Sequence, residues 1–146
     1  MSRLKLAVAG FAVLALASCA TYKENMPSWM PGSSAIGVKL SPAEEVPPAQ
    51  SSGSGSGSIR VAEDGSVSGS VSTTGVQGTM AHIHQGAKGA NGPVIVPLTK
   101  SGDTYTVPAG AKLNAAQMSA LKSGGLYVNV HSDKYKGGEV RGQLQP

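Results

Sequence analysis

SSGSGSGSIRVAEDGSVSGSVST, residues 51–73, reads by composition as a flexible linker and by alternation as a pair of strands. The choice between the two decides the fold. From Ser54 onward glycine alternates with serine, and the same alternation runs on into Ile59 and Val61, so every second residue shares a face. Residues 63–65, EDG, supply a turn, and beyond it Val67 and Val71 again share a face. The stretch is therefore read as a β-hairpin whose first half leaves a serine-rich approach.

Working outward, the same short alternating runs recur between turn residues. Upstream lies AIGVKL, residues 35–40, closed by the turn-rich SPAEEVPPAQ. Downstream come TMAHIHQ (79–85), the glycine-rich GAKGANG (86–92), PVIVPL (93–98), the turn KSGD (100–103) and TYTV (104–107). One helix is expected: Asn114 as N-cap, AAQMSALK as its body, and Ser123, Gly124 and Gly125 as its end. LYVNVH (126–131) and EVRGQL (139–144) are the last strands, joined by SDKYKGG. Seven or eight strands with one short helix predict an all-β fold, a Greek-key antiparallel β-sandwich or a flattened barrel. With 146 residues of which only 4% are aromatic, one core built from Val, Ile, Leu and Ala is expected.

The formal net charge of +4 includes Arg3 and Lys5, and no basic stripe is interleaved with aromatics, so nucleic acid is excluded as a partner. Residues 1–18 read as an export signal: a basic start, an apolar run too short for a comfortable membrane span, and then LASC, which resembles a bacterial lipobox. Cys19 is the only cysteine, so it has no disulfide partner in the chain and is expected to carry lipid. A lipid-anchored tether over residues 19–34 would then precede a domain over residues 35–146, placing it in the cell envelope, at the outer membrane. Within the tether, Met26 and Met30 flank Trp29, a pattern that fits either an auxiliary Cu(I) site or an apolar linker docking on its surroundings.

The chain has three histidines, and strand alternation puts them on outward faces. Met80, His82 and His84 point one way while Ala81 and Ile83 point into the core; likewise Tyr127, Asn129 and His131 oppose Leu126, Val128 and Val130. Side chains two apart on a strand are rooted about 6.5–7 Å apart, a spacing from which two imidazoles can converge on one ion. Two readings follow: unrelated surface imidazoles, or a three-histidine site formed when the two strands are adjacent. Three neutral imidazoles suit copper, with zinc second, and Met80 reads either as an edge hydrophobe beside the site or as a thioether favouring Cu(I). Tyr127 and Asn129 are placed to orient an imidazole. Glu139 and Arg141 read as a surface ion pair, and GAKGANG as a tight, mobile rim.

LSPAEEVPP near the start, AHIHQGAKGANGPVIVPL in the middle and GGLYVNVHSDKYKGGEVRGQL at the end resemble, in order, the CHRD domain found in chordin and in many bacterial exported proteins. A more distant resemblance is to the Cu/Zn superoxide dismutase sandwich. It implies copper ligation by His82, His84 and His131, with Arg141 as a neighbour of the site. The bridging histidine, the zinc set and the cysteine pair of that family have no counterpart, so the site implied is mononuclear. Three functions are carried forward: a copper-binding lipoprotein that sequesters copper or exchanges it with a copper-handling partner protein, a copper enzyme of dismutase type, and a non-catalytic interaction module.

Overall fold

The computed structural model describes residues 35–146; the export signal, Cys19 and the Met26–Trp29–Met30 cluster lie outside them. In chain order the elements are β1 (Ala35–Leu40), a single 3-10 turn (Pro42–Glu44), β2 (Ser54–Val61), β3 (Val67–Thr74), β4 (Gly78–Gln85), β5 (Val94–Pro97), β6 (Thr99–Ser101), β7 (Thr104–Thr106), α1 (Ala115–Lys122), β8 (Leu126–Ser132) and β9 (Val140–Leu144). They form two antiparallel sheets, one ordered β1-β2-β3-β7-β6 and the other β5-β4-β8-β9, which make a β-sandwich and not a closed barrel. The strand count is nine among the described residues. The addition is β6: Lys100 and Ser101, expected in a turn, extend a strand, and the turn is confined to Gly102 and Asp103.

The ambiguous hairpin is real. Ser54 pairs with Thr74 and the register holds through to Val61 with Val67. Serines of β2 face solvent while Gly55, Gly57, Ile59 and Val61 face inward. Small residues are needed there: a Cβ at Gly55 would come within 2.9 Å of Leu40 Cδ1, so the bulk for that layer is supplied by β1. Helix α1 has the full capping box, with the Asn114 side chain accepting from Gln117 N–H and the Gln117 side chain from Asn114 N–H.

The core lies between the sheets. Ala81 and Ile83 of β4, Leu126, Val128 and Val130 of β8, and Val140 and Leu144 of β9 all reach it, as alternation requires. The opposite face of the second sheet departs from expectation, because all seven residues of β8 are buried. That face carries polar and aromatic side chains, and loops close over it.

Candidate metal centre

Register brings the histidines together. In the β4–β8 pairing Met80 lies across from His131, His82 from Asn129, and His84 from Tyr127, so all six share one face. His82, His84 and His131 each offer a ring nitrogen, and these three atoms lie within 4.8 Å of one another. No other group of three or more His, Cys, Asp or Glu side chains suited to a metal occurs among the described residues. The expectation that all three rings sit on solvent-side faces is corrected: His84 and His131 are only 7% and 8% exposed, while His82 is half-buried.

Hydrogen bonds set the tautomers. Nδ1 of His84 lies 2.9 Å from the Gly92 carbonyl oxygen, and Nδ1 of His131 lies 2.9 Å from that of Lys136. A carbonyl only accepts, so both Nδ1 atoms carry the proton and both Nε2 atoms present bare lone pairs. The His131 lone pair is met at 3.0 Å by His82 Nδ1, which must therefore donate. Nε2 of His84 is buried and makes no hydrogen bond of good geometry among the described residues, although the Asn129 side chain lies close enough to raise the ring's hold on a proton. A buried acceptor left unpaired costs about 1–3 kcal/mol, and a metal ion is one thing that relieves it. Backbone carbonyls orienting two of three imidazoles are the usual outer support of a metal site.

All three rings are held neutral, the state a ligand requires. Burial and the neighbouring His131 and His84 rings push His82 down to about 4. Burial likewise lowers His84 and His131, with the Gly92 and Lys136 carbonyls offsetting part of the effect.

A family model, the CHRD domain, matches residues 36–144. The chain belongs to the CHRD-domain family. No curated protein and no solved structure matches it.

Around the histidines the CHRD domain builds a polar layer that sequence reasoning had left on the surface. Arg141, 1% exposed, lies with its guanidinium carbon 3.4 Å from the centre of the Tyr127 ring, and that ring stacks on His84 at 4.8 Å and an interplanar angle of 4°. The guanidinium donates to the carbonyl oxygens of Ala87 and Ala90 and to the side-chain oxygens of Asn91 and Gln143. Arg141 is therefore a fastener, buried and with both Nη groups bonded to the chain. Glu139 is also buried and accepts from Ser51 Oγ at 2.6 Å, so the pair expected at the surface does not form.

The glycine-rich loop, expected as a tight, mobile rim, is tied to the rest of the chain at several points. Besides the Arg141 bonds, Gly86 N–H donates to Gly125 O, the Gly86 carbonyl accepts from Gln143, Asn91 donates to Val46 O, and Lys88 pairs with Glu44 at 3.2 Å. Its last glycine is held on both sides, Gly92 N–H donating to the Tyr127 hydroxyl and Gly92 O accepting from His84. Asn129, expected to orient an imidazole, donates to the Gly137 carbonyl and also lies against the His84 ring, where its side chain favours the protonated form. Met80 sits at the rim, half exposed.

Glu45, in a stretch whose composition reads as a turn, is buried beside this layer as well. The side chain is 4% exposed, and burial raises its carboxyl to about 7 against the pull of Arg141. Gly138 exists to admit it: φ is +134° there, and a Cβ would collide with the carboxylate. The only trace in the sequence was the AEEVPP stretch carrying the family resemblance.

Proposed function

We propose that this chain is a lipid-anchored protein of the cell envelope, at the outer membrane, that binds a single copper ion through His82, His84 and His131 and sequesters it or hands it on. The observation that carries the reading is the convergence of three neutral imidazoles, each offering a ring nitrogen within 4.8 Å of the others, two of them buried. Copper is favoured over zinc because three imidazoles rank Cu(II) above Zn(II), with the neighbouring Met80 thioether adding preference for Cu(I). Lipid on Cys19 and an auxiliary Cu(I) site at Met26, Met30 and Trp29 complete the proposal. The dismutase-type alternative is weakened by the bonding of both Arg141 Nη groups to the chain. The interaction-module alternative leaves the tautomer-setting carbonyls without a purpose.

Titration of Cu(I), Cu(II) and Zn(II) into the protein and into His84→Ala tests the reading. One tightly held copper, lost in the variant, is the expected result; binding no tighter than to exposed histidines overturns it.

A further inference from the structure

The three rings are not equivalent. His84 and His131 are buried and each is tied by Nδ1 to a backbone carbonyl, so their Nε2 lone pairs are fixed in space. His82 is half-buried, and among the described residues its ring makes one hydrogen bond, to the ring of His131. Its surroundings on the open side are apolar and exposed. Met80, two residues before it on the same face, is 50% exposed and lies across from His131. Val94, 48% exposed, lies across from His84, and exposed Pro97 lies across from His82. Met80 and Val94 are the two exposed large hydrophobic side chains among the described residues, and both border this site. A methionine kept at the rim contributes little as a core residue and most as a soft sulfur donor.

On the reading of the site as a copper centre, we infer that the ion passes in and out at the Met80–His82 edge by ligand exchange with a sulfur-ligated Cu(I) carrier. Met80 and His82 are the exchanging ligands; His84 and His131 are the retaining ones. The Met80 sulfur bonds to the arriving ion as one carrier sulfur leaves with its electron pair. The His82 Nδ1–H bond to His131 Nε2 then breaks, and the ring proton moves from Nδ1 to Nε2 of His82. That frees the His82 Nδ1 and His131 Nε2 lone pairs, which with His84 Nε2 replace the remaining carrier sulfur. Copper stays Cu(I) throughout, and a departing thiolate takes its proton from solvent.

The experiment uses the full chain with Cys19→Ser, so that no thiol of its own competes, and Cu(I) presented as its glutathione complex. Loading is followed over time by the copper still available to bicinchoninate, beside Zn(II) uptake as a control. Met80→Leu, which keeps the apolar surface, is expected to load Cu(I) about tenfold more slowly, the loss of one weak ligand contact. Its final occupancy of one copper and its Zn(II) rate stay at wild-type values, whereas His84→Ala lowers occupancy at every time. Wild-type Cu(I) loading in Met80→Leu, or equal slowing of Cu(I) and Zn(II), overturns the exchange edge and leaves the copper site standing. A wild-type chain that takes up no copper overturns both.

Discussion

Arg141 shows how a single side chain changes meaning when its surroundings are known. Its bonds to Ala87, Ala90 and Asn91 hold the loop whose Gly92 carbonyl sets the His84 tautomer. Arg141→Lys keeps the charge but not the planar fork or the stack on Tyr127. We expect it to weaken copper binding by about tenfold, the scale of an outer-support loss, while the circular dichroism spectrum is retained; unchanged affinity would show the loop held without it. Glu45 gives a pH test. Its carboxyl is raised from 4.5 to about 7, so the folded chain holds a proton that the unfolded chain releases above 4.5. Its share of stability is full below 4.5 and lost as the pH rises through 7. The lowered histidines slope the other way, since unfolded rings take protons below 6.5 that the folded rings refuse. Thermal midpoints of Glu45→Gln against wild type isolate the first effect: the variant gains relative stability as the pH rises from 4.5 to 7, and a constant difference would refute the assignment.

Strand β4 does two jobs on its two faces. Ala81 and Ile83 fill the core while His82 and His84 supply the candidate site with Met80 at its rim, so its sequence had to alternate strictly. Ile83→Ala removes a side chain that is 1% exposed and should cost about 2–5 kcal/mol in denaturant unfolding, with the copper stoichiometry of the folded fraction preserved. Helix α1 is legible from its caps alone, and Asn114→Ala should cost about 1 kcal/mol without touching metal affinity. The strands and the helix were readable because period-2 and capping signals are local. β6 was not, because three exposed residues, Thr99, Lys100 and Ser101, have no buried face to produce a pattern.

For the sandwich as a whole, the proposed copper site makes a prediction: an ion held by the native state and not by the unfolded chain adds stability by mass action. At a free copper concentration one hundred times the dissociation constant the gain is about 2.7 kcal/mol, read as a rise in thermal midpoint that His84→Ala abolishes. By itself the sequence determined the all-β class, the hairpin within a glycine–serine run, the single capped helix, and which face of each strand His82, His84 and His131 occupy, because side-chain direction follows from backbone period. What covers those faces was decided only in three dimensions. Residues 86–93, the segment from Glu44 to Gln50 and residues 132–139 come from distant parts of the chain and meet over β8. They turn an outward face into a buried polar layer, place the Gly92 and Lys136 carbonyls on two imidazoles, and bury Arg141 and Glu45. Alternation states on which side of a sheet a residue lies; whether that side is wet depends on long-range loop packing, which has no period to read.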